Sequence, residues 1–89
     1  MPYLRGRAFL AAGDGRSAAA EFRKILGAPG LEPTSPLYPL ARLGLARALR
    51  MAGDIPASRV AYQTLFQDWR NADADLPALT QARAEYARL

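Results

Sequence analysis

Three groups of side chains in this sequence are of kinds that do chemistry: carboxylates close in sequence, aromatics at helical spacing, and arginines. Asp73 and Asp75, or Asp14 and Glu21, could share acid–base work, one carboxyl donating a proton while the other accepts. The chain has no Cys and no His. That inventory removes thiolate zinc sites, Ser-His-Asp triads and Cys-His dyads. Position gives the carboxylates a plainer role. Asp14 and Asp75 stand where helical patterns begin, and a carboxylate there accepts hydrogen bonds from free backbone N–H groups. Gly13-Asp14-Gly15 is no phosphate cradle either, because no Gly-Lys-Ser/Thr completes it. The aromatics could form a stacking platform for single-stranded nucleic acid. Yet Phe9, Phe22, Tyr62, Trp69 and Tyr86 all fall on apolar stripes and belong in a core; Phe66 and Tyr38 are less committed. The reading is of a chain that is not an enzyme and needs no metal or cofactor.

The elements that must position these groups are helices. Gly13-Asp14 and Gly53-Asp54, 40 residues apart, each close one helical pattern and open another. Gly takes the left-handed position past a helix end, and Asp caps the next helix, so each pair is the turn of a helical hairpin. Ala18, Phe22 and Ile25 follow the first turn at i, i+4, i+7. Ser58, Tyr62, Leu65 and Trp69 follow the second, again one apolar stripe. Before the first turn, Leu4, Ala8 and Ala11 share a face, with Phe9 beside them. The helix before the second turn is apolar around most of its circumference, so it should be covered on more than one side. Ser35-Pro36 starts it, or the start is as late as Pro39. A fifth helix is expected with Asp75 as cap, Pro77 in its first turn and Leu76, Leu79, Ala82, Tyr86 and Leu89 as its stripe. The expected architecture is all-α: a hairpin at 1–27, a turn-rich linker at 28–35, a second hairpin at 36–70 and a C-terminal capping helix at 75–89.

Eighty-nine residues make one small domain. Net charge is +4, and eleven of the twelve basic residues are Arg. No run of 18 apolar residues occurs, so no membrane insertion is expected. Arg5 and Arg7 precede an apolar stretch too short for a signal peptide, which makes the expected location cytoplasmic.

Helical hairpins recurring at this period mark stacked helical arrays. Arg5-Gly6, Phe9, Ala18 and Phe22 in the first unit, and Leu45-Ala46, Leu49, Ser58 and Tyr62 in the second, resemble the tetratricopeptide repeat family. The interval from Arg5 to Ala18, and from Leu45 to Ser58, is thirteen residues, as in that family. The resemblance spans Pro2 to Trp69. It departs from the pattern at the leading Trp, where Pro2 and Arg42 stand, and at the closing Pro, one residue off at Pro29 and missing from the second unit. The stretches SPLYPLARLGLARAL, AYQTLFQDW, DADLP and ARAEYARL resemble, more narrowly, the terminal repeats of bacterial serine/threonine protein kinases and winged-helix regulators with tetratricopeptide tails. That likeness implies the tail alone, since no kinase loop is present.

The resemblance implies a non-catalytic protein–protein interaction or assembly module with a peptide-binding groove lined by first helices. The groove positions it implies are Tyr3, Arg7 and Leu10 on one helix, and Leu40, Leu43, Arg47 and Arg50 on another. Arg7 and Arg47 are matched positions, and a wall of guanidinium groups suits an acidic peptide through bidentate hydrogen bonds. The family's carboxylate clamp of Lys and Asn is not present. A basic helical module binding nucleic acid is the alternative, which needs a contiguous Arg face. Arg5, Arg16, Arg42, Arg59 and Arg83 are instead scattered among acids. A homodimer is expected as well, because two repeats do not bury their own apolar faces and no helix precedes the first to cover it.

Overall fold

Five α-helices follow one another: α1 (Pro2–Ala11), α2 (Gly15–Leu26), α3 (Leu37–Met51), α4 (Ile55–Asp68) and α5 (Pro77–Ala87). The computed structural model describes residues 2–27, 37–70 and 76–89. Of these residues 84% are helical, and no strand occurs among them. The expected linker at 28–35, Pro29, the Ser35-Pro36 start, Asp73 and the capping Asp75 lie outside the described residues. Pro39 sits inside the first turn of α3, where a missing N–H costs no helical hydrogen bond. No helix among the described residues is long and apolar enough to cross a membrane.

The two Gly-Asp turns are built alike, bond for bond. Gly13 and Gly53 take φ of 79° and 88°, a left-handed conformation that a Cβ would strain. The Asp14 amide donates to the Phe9 carbonyl at 2.9 Å and the Gly13 amide to Leu10 at 3.1 Å. Asp54 donates to Leu49 at 2.9 Å and Gly53 to Arg50 at 3.0 Å. Both are Schellman closures, which satisfy carbonyls that the helix end leaves open. Each Asp then caps the following helix: the Asp14 carboxylate accepts from the Ser17 amide at 3.1 Å, and Asp54 from Ala57 at 3.3 Å.

Successive helices pack on one another, α1 also meets α3, and α5 leans on α4. Phe22 sits at the centre of the first hairpin, fully buried. Its ring lies against Gly6 of α1 and Gly44 of α3, so closely that a Cβ would come within 2.6 Å and 2.4 Å of it. Two backbones therefore close on one ring. Tyr3 completes the enclosure edge-on, with ring centroids 5.9 Å apart. This geometry changes the expected face of α1. Leu4, Ala8 and Ala11 are exposed, Leu4 at 60%, because α1 approaches through Gly6, its one buried residue. Tyr3 and Leu10, beside Gly6 on that face, are half-buried.

Helix α3 is covered on several sides, with Ala41, Leu43, Gly44, Leu45, Ala46, Ala48 and Leu49 buried. In the second hairpin Ser58 and Tyr62 take the places of Ala18 and Phe22, fully buried. The buried Ser58 hydroxyl donates to the Ala46 carbonyl at 2.7 Å, so the polar atom is satisfied. Arg42 and Asp68, 2.9 Å apart, tie α3 to α4 near the open end of the hairpin.

Helix α5 starts with Pro77 in its first turn, as expected, while Leu76 holds the capping position without a side-chain bond. Leu79 and Ala82 of its stripe are buried, Tyr86 and Leu89 half-buried, and Leu76 is 39% exposed. Tyr86 meets Phe66 and Tyr62 edge-on, at 5.4 Å and 6.1 Å. These rings fasten α5 to α4. The radius of gyration, 12.2 Å, matches the ~12 Å of a compact domain of this length.

Candidate functional site

The carboxylates expected to act as caps or to lie in loops do not converge on a reaction centre among the described residues. Asp14 is an exposed cap, held below its usual range by hydrogen bonds from the Ser17 side chain and backbone. Glu21 is buried on α2, and one of its oxygens accepts from Lys24 at 3.1 Å. Its other oxygen has no partner among the described residues. No group of three or more acidic residues is placed to hold a metal ion among the described residues.

A groove opens instead along the side shared by α1, α3 and α5. Leu10, Ala11, Arg47, Arg50, Met51 and Glu85 line a volume of about 590 Å³. Its apolar part comes from half-buried Leu10 and from Met51, which is 46% exposed. Of the residues expected on a groove wall, Leu10, Arg47 and Arg50 meet here. Tyr3 packs on Phe22, and the Arg7 guanidinium stands 6.0 Å over the Tyr3 ring. Leu40 is half-buried outside this lining, and Leu43, 4% exposed, is part of the core.

The two groove arginines of α3 differ in what surrounds them. Arg47 is held by α5: its Nε and one terminal nitrogen donate to the two Glu85 oxygens at 2.9 Å and 2.8 Å. The same terminal nitrogen reaches Gln81 at 3.3 Å. This is a bidentate fork, the strongest arrangement a guanidinium and a carboxylate make. The Tyr62 hydroxyl donates to Glu85 at 2.7 Å from below. Burial, and then that hydrogen bond, push the Tyr62 phenol far up, so it remains a neutral donor. Burial alone would raise the Glu85 carboxyl, but hydrogen bonds from Arg47 and Tyr62 outweigh it and hold the group below its usual range. Arg50 and Arg7 are exposed, and among the described residues neither forms an ion pair.

Sequence reasoning passed over Glu85, Gln81, Met51 and Ala11. For Glu85 a signal existed: it stands three residues after Ala82 and four before Leu89, inside an apolar stripe. A carboxylate at such a position needs a partner on the helix it packs against. No family model, curated protein or solved structure matches the chain.

Proposed function

We propose that the chain is a non-catalytic helical-repeat module of tetratricopeptide type, which binds an acidic protein segment in the groove between α1, α3 and α5. The observation that carries this reading is Arg50, an exposed cation without an ion-pair partner among the described residues, at the rim of an open groove with apolar Leu10 and Met51. The duplicated Schellman turns and the matched Phe22 and Tyr62 positions support the repeat assignment. Charge placement favours a peptide over nucleic acid, since Arg42 and Arg47 are taken up by Asp68 and Glu85. The test is fluorescence anisotropy with a labelled peptide carrying glutamate and leucine. Replacing Arg50 by Ala should weaken binding by about fivefold, and salt should weaken the wild-type complex. Unchanged binding by the Arg50 variant would sink the reading.

The module is also proposed to self-associate as a symmetric dimer through the outer face of α1. Leu4 and Ala8 give that face an apolar patch open to solvent, and a two-fold contact buries one such patch against another. Sedimentation at micromolar concentration should show a dimer that Leu4→Glu converts to a monomer. A wild-type monomer would refute it.

A further inference from the structure

The groove's two arginines on α3 are one helical turn apart, yet among the described residues only Arg50 has no carboxylate partner. Arg47 already holds a carboxylate in bidentate geometry, with a third bond to Gln81. That carboxylate belongs to the chain itself, and Glu85 lines the groove beside Arg50. We infer that Glu85 sets the specificity of the groove by withdrawing Arg47 from it, so that the groove selects a segment with a single carboxylate beside large apolar side chains, not a polyacidic run. The inference rests on the groove reading above and adds to it the kind of segment that fits.

Charge complementarity determines the occupant. In the lining, Arg47 and Arg50 of α3 and Glu85 of α5 sum to one positive charge, located on Arg50. One ligand carboxylate neutralises it. A second carboxylate finds no unpaired cation among the described lining residues, and Glu85 in the same lining repels it. The apolar share of the lining, Leu10, Ala11 and Met51, gives the rest of the segment a surface for hydrocarbon. Met in particular adapts its shape to different apolar side chains. Glu85 is fixed from two sides, by Arg47 on α3 and by Tyr62 on α4. Its charge is therefore a permanent feature of the groove while α5 is docked.

The experiment uses two fluorescein-labelled peptides, one with a single glutamate between leucines and one with consecutive glutamates, titrated by anisotropy. The wild type should prefer the first. Glu85→Gln keeps the shape and the Tyr62 contact but frees the Arg47 charge. It should improve binding of the polyacidic peptide by about fivefold, the scale of one partly exposed ion pair. The single-glutamate peptide, whose one carboxylate Arg50 already matches, should gain less than the polyacidic one. The gain should vanish when Arg47→Gln is added. Far-ultraviolet circular dichroism confirms that each variant is folded. An unchanged preference in Glu85→Gln, or a gain that persists without Arg47, overturns the inference and leaves the groove reading standing. Absence of binding of either peptide to either protein overturns both.

Discussion

Phe22→Ala should bring the protein close to unfolding. The ring is fully buried, and removing a buried aromatic costs about 3–5 kcal/mol. A domain of this length has about 5–13 kcal/mol in total. The site is poorly able to collapse, because Gly6 and Gly44 face the ring with backbone and have no side chain to move into the space. The expected shift in thermal midpoint is about 15–30 °C downward. Gly44→Ala probes the same contact from the other side. Ala is favoured over Gly in a helix by up to ~1 kcal/mol, but its Cβ would lie 2.4 Å from the Phe22 ring. Overpacking of that kind costs about 1–3 kcal/mol, so the sum should be a loss. In a Phe22→Leu background the overlap is relieved, and Gly44→Ala should become neutral or stabilising. Thermal unfolding of the four proteins gives the coupling directly, expected at about 0.5–3 kcal/mol. Additive effects would mean that the ring does not determine the approach of α3.

How much of this was legible in the sequence depends on which contact is considered. The turns were fully so, since Gly followed by Asp encodes both the left-handed residue and the cap, and both Gly-Asp pairs close in the same way. The stripes through Phe22 and Tyr62 were legible because one residue every three or four turns inward whatever the partner. The face of α1 was not. Hydropathy points to Leu4, Ala8 and Ala11, but Gly6 controls the packing by letting a backbone reach the Phe22 ring, and hydropathy carries no such signal. Leu43 was assigned to a groove by repeat position, whereas α3 is covered on several sides and Leu43 falls in the core. The groove itself was half legible. The position of Arg47 was foreseen, but not its pairing with Glu85, 38 positions away, because a carboxylate inside an apolar stripe signals that a partner is needed without saying which residue of another helix supplies it.

Glu85→Ala should loosen α5 while leaving the two hairpins folded. Helix α5 has two kinds of attachment: the aromatic and apolar contacts of Leu79, Ala82 and Tyr86, and the polar knot of Glu85 with Arg47 and Tyr62. Truncating Glu85 leaves a half-buried guanidinium and a phenol hydroxyl without their partner, a cost of about 1–3 kcal/mol. An element attached by few contacts opens as a unit before the rest unfolds. Amide exchange within residues 77–87 should therefore accelerate by about 5- to 150-fold, with α2 and α3 little changed. Arg47→Ala should act in the same way, and the double variant should cost less than the sum. Acid gives an independent check. The Glu85 carboxyl titrates below the ordinary glutamate value of 4.5. A group depressed in the folded state adds stability that is complete above its unfolded value and is lost as pH falls through its folded value. Asp14 adds a loss of the same sign. The wild type should thus weaken as pH falls below about 4.5, and Glu85→Gln should weaken less steeply, keeping the Asp14 share. If the two proteins lose stability in parallel between pH 5 and 2, the knot does not hold α5.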